Sequence, residues 1–181
     1  MWLWIIFVAL IVYYIYAPIP RGATEPWKLW LASVILQLHG DLVIIYSLIS
    51  RRKIHDVTRI SLERLAGLQP KVHGIEETLE NFDGVIVRIF RSTETPTNSL
   101  LPGVVYIHGG GWCVFSTRTY SYLTALLSKK TNSVVVSIEY RLAPEHIFPA
   151  AFDDCLTATL HFMKNAQTYG VDPCKIGISG E

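Results

Sequence analysis

The sequence predicts an α/β fold built on a mostly parallel sheet and preceded by an apolar N-terminal segment. Continuously apolar runs alternate with helical patterns after residue 100, which is typical of buried parallel strands joined by helices. The first twenty residues contain no charged side chain, and a triple glycine follows directly on the first buried run. These observations indicate a globular α/β body, a membrane segment and a backbone loop suited to ligand binding.

Composition narrows the classes of protein to be considered. The chain has 181 residues, of which 50% are hydrophobic and 17% charged, with a net charge of +1 and a mean hydropathy of +0.32. The charge balance excludes a nucleic-acid binder held mainly by electrostatics, and the apolar content excludes a disordered chain. Three cysteines are too few for a dense disulfide framework. A compact enzyme-like domain, a membrane protein, or a combination of the two remains.

Residues 1–20 are predicted to form an uncleaved signal-anchor transmembrane helix. Helical geometry gives the stretch 2–19 a length of about 27 Å, close to a hydrocarbon core of roughly 30 Å. Tryptophans at its start and tyrosines near its end resemble the two aromatic belts of a membrane span. A cleaved signal peptide is the alternative, but the stretch lacks early basic residues and small residues before a cleavage point.

Residues 21–70 are predicted to form an amphipathic, cap-like helical region. Pro26 suits a first helical turn, apolar residues then recur at helical spacing to Ile49, and a further helix is expected over 54–68. Asp41 would cost about 2.5–3.5 kcal/mol at mid-membrane, so a helix on the domain or on the bilayer surface is preferred to a second span. Basic residues that follow the anchor favour a cytoplasmic body by the positive-inside rule.

Residues 71–181 are predicted to form the N-terminal part of the α/β domain. Alternating residues in Ile75–Glu80 and Gly84–Phe90 indicate an edge or surface hairpin, and 92–99 read as a polar loop. The order of the remaining elements predicts right-handed crossovers within one parallel sheet. These elements are a buried strand at 104–107, a helix at about 117–130, a buried strand at 133–138, a helix near 150–164 and a third strand at 175–179.

The segment His108-Gly109-Gly110-Gly111-Trp112 carries the clearest chemical signal. Glycines at the end of a strand can turn with positive φ, and their N–H groups can converge on an anion. A flexible turn and a phosphate loop are the alternatives, but neither phosphate-binding glycine pattern is present. The HGGG pattern in this context predicts the oxyanion hole of a lipase or esterase, formed by His108, Gly109, Gly110 and Gly111. We expect His108 to brace the loop rather than to act as a base.

Three motifs in order carry a family resemblance. HGGGWC, then YRLAPEHIFPAAFDD over 140–154, then GISGE over 177–181 resemble the arylacetamide deacetylase branch of the hormone-sensitive-lipase group of α/β hydrolases. The resemblance implies a truncated α/β-hydrolase fold and a serine carboxylesterase or deacetylase acting on hydrophobic acyl esters or amides. It also implies that Gly109 and Gly110 donate to the oxyanion. The body is then expected on the lumenal side of the endoplasmic reticulum membrane, against the charge argument.

The resemblance extends to residues around the loop. Trp112 and Phe115 are expected to line the substrate pocket, and the family's usual glycine at position 115 is replaced here by the bulkier phenylalanine. Cys113 corresponds to a position that can pair with a cysteine near the C-terminus of the family's enzymes. Arg141 is expected to form a structural charge network with Asp153 and Asp154. No metal or cofactor motif occurs, so we expect none, and no nucleic-acid partner.

The sequence holds no nucleophile elbow of the form G-x-S-x-G. The resemblance places the serine at position 182, after Glu181, and Ser179 lies within a predicted strand. His146 and His161 precede the elbow, whereas this fold places its acid and histidine after it. We therefore expect these residues alone to be inactive. A partial sequence, a truncated product and a damaged gene stay open, as do a non-catalytic membrane-tethered fragment and a small-molecule binder.

Overall fold

The computed structural model describes residues 22–95 and 100–181, together with residues 2, 4, 5, 8, 12, 13, 19 and 20. The chain divides into two compact units, Met1–Val57 and Thr58–Glu181. Most of the predicted anchor, residues 1–20, lies outside the described residues, as do residues 96–99 of the predicted polar loop. The described residues between 2 and 13 are helical.

A long apolar helix, α1 (Pro26–Ser50), dominates the first unit. It begins with proline at its first position and ends where Arg51 turns left-handed, with φ of 55°. Val43 is its one buried residue, and its exposed apolar side chains include Ile35, Leu36 and Leu38. Ile35 and Leu38 share a face of the helix, whereas Leu36 is turned about 100° from Ile35, so the exposed apolar surface is broader than a single stripe.

By length and composition, α1 is able to cross a membrane. Its 25 residues extend about 37 Å, which exceeds the roughly 30 Å of a hydrocarbon core. Two of its polar side chains contact Tyr13 in the same unit: the Gln37 amide donates to the Tyr13 carbonyl at 3.2 Å, and the Tyr13 hydroxyl donates to Asp41 at 3.5 Å. These contacts reduce the expected cost of placing α1 in a bilayer.

The body alternates strands and helices, as the sequence predicts. After α2 (Ile54–Ala66) come β1 (Ile75–Phe82), β2 (Val85–Ser92), β3 (Leu101–Ile107), α3 (Ser121–Thr131), β4 (Val134–Ile138), α4 (Ala150–Lys164), a 3₁₀ turn (Ala166–Tyr169) and β5 (Val171–Gly180).

The five strands form one mixed sheet in the order β1-β2-β4-β3-β5. β3 pairs in parallel with β4 and with β5, whereas β2 pairs antiparallel with β1 and with β4. Of the two hairpin strands, β1 lies at the edge of the sheet. β2 lies inside the sheet, because it also pairs with β4, for example Val87 with Ile138. The prediction of an edge or surface hairpin was wrong for β2.

The core surrounds β4 and the inner face of α4. All five residues of β4 are buried, which agrees with its continuously apolar sequence. Phe162 of α4 is fully buried and stacks near Phe82, with ring centroids 6.3 Å apart. A Cβ at Gly103 would lie 2.8 Å from Val171 and 2.9 Å from Phe162. Gly103 is therefore required where β3 approaches these side chains, although Pro102-Gly103 looks like a turn in the sequence.

Parallel strands place the loops that follow them at one edge of the sheet. The glycine-rich loop follows β3 and the YRLAPE segment follows β4, so both loops emerge at the carboxyl ends of neighbouring strands. β5 is the last strand in the sheet order, and most of its residues are exposed, including Ile178. Binding sites of α/β sheets lie at this carboxyl edge.

Candidate active site

The glycine-rich loop forms a tight turn after β3. Gly110, Gly111 and Trp112 have φ of 114°, 58° and 57°. The Gly110 carbonyl accepts from the N–H groups of Cys113 and Val114, both at 3.1 Å, and so closes the turn. Within residues 22–95 and 100–181, the N–H groups of Gly110 and Gly111 donate to no acceptor. These two amides are available to an incoming anion.

Gly110 is required by sterics as well as by its φ. A Cβ built at this position would lie 2.2 Å from the Val114 carbonyl oxygen and 2.8 Å from the Phe115 ring. Real Cβ atoms do not approach other atoms so closely, and φ of 114° is disfavoured for a residue with a side chain. Any other residue at position 110 must therefore displace the turn that presents the free amides.

His108 is buried and braces the base of the loop. Its ring stacks on Tyr140 at 4.2 Å between centroids, its Nδ1 contacts the Gly109 carbonyl at 2.8 Å, and the Tyr140 hydroxyl donates to the His108 carbonyl at 2.7 Å. Desolvation lowers the pKa of His108 below its ordinary value, which favours the neutral imidazole. These contacts are those expected of a structural histidine.

The loop opens on a cavity of about 580 Å³. The cavity walls are mostly apolar and come from both loops and from the start of α4. The lining residues are Ile107, His108, Gly109, Gly111, Trp112, Tyr140, Ala143, His146, Phe148, Ala151, Phe152, Cys155 and Glu181. A small number of polar groups in a mostly apolar concave surface is typical of a site for a hydrophobic ligand.

The two predicted pocket residues have different positions. Trp112 lines the cavity, whereas Phe115 is not among its lining residues. With φ of 71°, Phe115 places its ring edge-on to Tyr120, at 5.7 Å between centroids and 81° between planes. Phe115 therefore packs against the loop residue Gly110 and against Tyr120, instead of forming a cavity wall.

Tyr120 joins the loop to the last residue of the chain. Its hydroxyl donates to a Glu181 carboxylate oxygen at 2.8 Å, and a Cβ at Gly109 would lie 3.2 Å from that hydroxyl. Burial, followed by the hydrogen bond to Glu181, raises the pKa of Tyr120 to about 12. The sequence does not indicate that Tyr120 belongs to the site, because Tyr120 lies outside the glycine motif.

Arg141 and Asp154, whose sequence neighbours Tyr140 and Cys155 line the cavity, form an ion pair. The Arg141 backbone N–H donates to Asp154 at 2.9 Å, and the guanidinium adds Nε and Nη2 donations at 2.8–3.1 Å. Desolvation acts to raise the pKa of Asp154, but the donations from Arg141 outweigh it and leave the pKa below its ordinary value. Asp153 is exposed and makes none of these hydrogen bonds, so the predicted network rests on Asp154.

Replacing Asp154 with asparagine is expected to lower the free energy of unfolding of residues 1–181 by about 2 kcal/mol at pH 7, because charge-assisted hydrogen bonds are lost. The folded-state pKa of Asp154 is lowered, so its contribution is present above the unfolded pKa and is lost as pH falls through the folded pKa. Urea unfolding at pH 7 and at pH 3 measures both effects. Asp153→Asn is the matched control, and an equal loss in both variants would contradict the assignment.

Helix α2 also reaches this site. The Arg59 guanidinium donates to the carbonyls of Cys113 and Ala143, which belong to the two different loops. The side chain of Arg59 is only 22% exposed, which is low for an arginine. Nothing in the local sequence signals these contacts, since they join residues 54 and 84 positions apart.

The chain is similar to known hydrolases. Residues 104–181 match a family model described as the alpha/beta hydrolase fold. The chain is 37% identical to arylacetamide deacetylase from Bos taurus, over 93% of this chain and 43% of that protein. It is also 37% identical to neutral cholesterol ester hydrolase 1 from Mus musculus, over 96% of this chain and 44% of that protein. The chain is a homologue of these hydrolases.

Solved structures agree with this relationship. An esterase from Pyrobaculum calidifontis matches with a TM-score of 0.61 and 32% identity, over 70% of this chain and 43% of that chain. A hormone-sensitive lipase from a metagenome library matches with a TM-score of 0.62 and 30% identity, over 80% of this chain and 46% of that chain. The resemblance read from the motifs is confirmed. The chain spans less than half the length of these relatives.

Proposed function

We propose that residues 1–181 supply the oxyanion hole and the acyl-binding cavity of a membrane-anchored serine carboxylesterase or deacetylase that acts on hydrophobic esters or amides. The observation that carries the proposal is the turn after β3, whose Gly110 and Gly111 amides have no protein acceptor among the described residues and which borders a mostly apolar cavity. Acyl transfer passes through a tetrahedral oxyanion, which such paired N–H donors stabilise.

The donors differ slightly from those expected from the resemblance. Gly110 N–H is free, as expected, and Gly111 offers a further free amide. We propose Gly110 and Gly111 as oxyanion donors, with the Gly109 N–H beside them. Each donor of this kind contributes about 10²–10³ in rate where it has been removed by mutation.

The cavity holds no activated nucleophile among the residues that the structure describes. Burial raises the pKa of Cys155 to about 11, so its thiol stays protonated at neutral pH. Ser179 lies inside β5, opposite Tyr106 of β3, rather than on a strand-to-helix turn. We therefore propose that residues 1–181 alone do not turn over esters, and that chemistry requires the serine of a nucleophile elbow.

The apolar N-terminal region supports the anchoring part of the proposal. Helix α1 is long and apolar enough to cross a bilayer, and residues 2–19 contain no charged side chain. Basic residues 51–53 follow α1 directly and can contact anionic lipid headgroups, whereas the positive-inside rule alone favours a cytoplasmic body. The resemblance to anchored esterases supports the endoplasmic reticulum membrane, with the body on its lumenal side.

A fusion protein tests the proposal. Residues 1–181 are joined to the part of bovine arylacetamide deacetylase that follows the matched segment, and membranes are assayed with a short-chain aryl ester. We expect turnover that stays in the membrane fraction after alkaline extraction, and none from residues 1–181 alone. Turnover by residues 1–181 alone would overturn the assignment of chemistry to an added serine. A folded, membrane-bound fusion without turnover would favour a non-catalytic tethered role.

A further inference from the structure

Arg59 of α2 connects the two loops that form the candidate site. Its Nε donates to the Cys113 carbonyl at 2.8 Å, and its Nη2 donates to the Ala143 carbonyl. Its Nη1 donates to both carboxylate oxygens of Glu145, at 2.9 and 3.0 Å. One guanidinium thus bonds three residues from loops that follow different strands.

The chemistry of arginine explains why a single side chain can do this. A guanidinium presents five N–H donors in a rigid plane and stays charged at all physiological pH values, whereas an ammonium is a point charge on a flexible stem. Two of the acceptors of Arg59 are backbone carbonyls, so the contacts fix backbone positions and not only side chains. The side chain is 22% exposed, which strengthens these bonds relative to surface ones.

A second residue of α2, one turn further along, holds the other end of the glycine-rich loop. The Ser116 hydroxyl donates to the Glu63 carboxylate, and the Ser116 N–H donates to Thr119 Oγ1 at 2.9 Å. Residues 59 and 63 lie on the same face of a helix because they are four positions apart. The loop from Gly109 to Ser116 is therefore held by α2 at Cys113 and at Ser116.

The two loops are also bonded to each other. The Ala143 N–H donates to the Trp112 carbonyl at 2.8 Å, beside the two carbonyls that Arg59 bonds. Trp112 and Ala143 both line the cavity, on opposite loops. The Arg59 guanidinium therefore contacts both the glycine turn and the loop that forms the opposite cavity wall.

We propose that Arg59 is a positioning residue for the oxyanion hole, and that Glu63 assists it by fixing Ser116. The catalytic part of this inference, that the turn is an oxyanion hole, rests on the proposed function. Arg59 is not among the cavity-lining residues and bonds neither free amide. It acts through Cys113, whose N–H closes the turn onto the Gly110 carbonyl. Removal of Arg59 leaves the sheet intact and loosens the turn.

Hydrogen exchange in residues 1–181 in detergent micelles tests this role. The amides of Cys113 and Val114 donate to the Gly110 carbonyl, so their exchange rates report the turn itself. In Arg59→Ala we expect these two amides to exchange about tenfold faster or more, since a hydrogen bond to a charged group is lost. Amides of β4 are expected to keep their protection. Arg64→Ala, at an exposed position on the same helix, is the matched control.

Two further variants separate positioning from charge. Glu145→Gln removes the ion pair but leaves both carbonyl contacts, so we expect a smaller change in exchange than in Arg59→Ala. Arg59→Lys keeps the charge but cannot reach both carbonyls at once, so we expect it to resemble Arg59→Ala. Restoration of protection by lysine, or equal exchange in Arg59→Ala and Arg64→Ala, would overturn the proposal.

Binding of octanoate, the carboxylate product of an acyl ester, supplies the functional readout. We expect weaker binding in Arg59→Ala, with an unfolding midpoint close to that of Arg64→Ala. If the unsubstituted chain does not bind octanoate while Arg59→Ala still loosens the turn, the proposed function fails and the positioning role stands. If the chain binds octanoate and Arg59→Ala changes neither binding nor exchange, the positioning role fails alone.

Discussion

Replacing Gly110 with alanine in the fusion protein is expected to lower kcat by about 10²–10³-fold, the size of effect measured when one oxyanion donor is removed. The added Cβ would lie 2.2 Å from the Val114 carbonyl oxygen, and the residue would have to keep φ at 114°. Both conflicts are relieved only by moving the turn, which moves the Gly110 and Gly111 amides away from the cavity. Steady-state kinetics with a short-chain aryl ester measures the change.

The matched control for this prediction is Gly40→Ala. Gly40 lies on helix α1, far in sequence from the fusion junction and from the glycine-rich loop, and a Cβ there meets no atom within 4 Å. We expect Gly40→Ala to retain kcat, and both variants to bind membranes. A Gly110→Ala enzyme with the kcat of the unsubstituted fusion would show that this turn does not hold the oxyanion.

Replacing Phe162 with alanine is expected to lower the free energy of unfolding of residues 1–181 by about 3–5 kcal/mol, the range for a buried phenylalanine. The Phe162 ring is fully buried and packs within 6.3 Å of Phe82 and 6.0 Å of Tyr169 between centroids. It also lies directly under Gly103, where β3 has no side chain. The ring therefore fills the space between α4 and the sheet, and its loss leaves a cavity.

Urea unfolding followed by far-UV circular dichroism measures this change. Met163→Ala is the control, because Met163 follows Phe162 on the same helix and is 50% exposed. We expect Met163→Ala to cost less than about 1 kcal/mol, as exposed substitutions do. Equal losses in the two variants would mean that α4 packs on the sheet through a different face.

The sequence predicts the parallel part of the fold well, for a physical reason. β4 and α4 have patterns that depend only on local burial: five consecutive buried residues in β4, and a regular apolar face in α4. The start of β3 escapes prediction because Pro102-Gly103 is typical of a turn. Gly103 lies in the strand, where it pairs with Val134 and Ile176, and a glycine is required there because Phe162, distant in sequence, leaves no space for a side chain.

Other differences between the predicted and the observed structure also arise from contacts between residues that are distant in sequence. The helix predicted from about residue 117 begins at Ser121, because the Thr117 N–H and hydroxyl bind the Glu139 carboxylate and hold the preceding residues in turns. The alternation in β2 indicates a half-buried strand but cannot show that its partner is β4. Arg59 reaches residues 54 and 84 positions away, so no spacing rule could identify it.

The site itself is partly predictable. The triple glycine after a buried strand indicates a backbone anion site, and the structure has two free amides there, at Gly110 and Gly111. Phe115 is expected at the pocket because it stands where the resembling family usually has a glycine. Its φ of 71° instead directs the ring to Tyr120, and a backbone conformation of that kind cannot be read from residue type.

The oxyanion hole is tested most directly by an NMR titration of residues 1–181 in detergent micelles with octanoate. An oxyanion hole at this turn predicts saturable downfield shifts of the Gly110 and Gly111 amide protons, smaller shifts at residues lining the cavity, and none in β1. The same titration of Gly110→Ala should show no saturable shift. If octanoate saturates the chain while both glycine amides stay unperturbed, the assignment of this loop as an oxyanion hole is wrong.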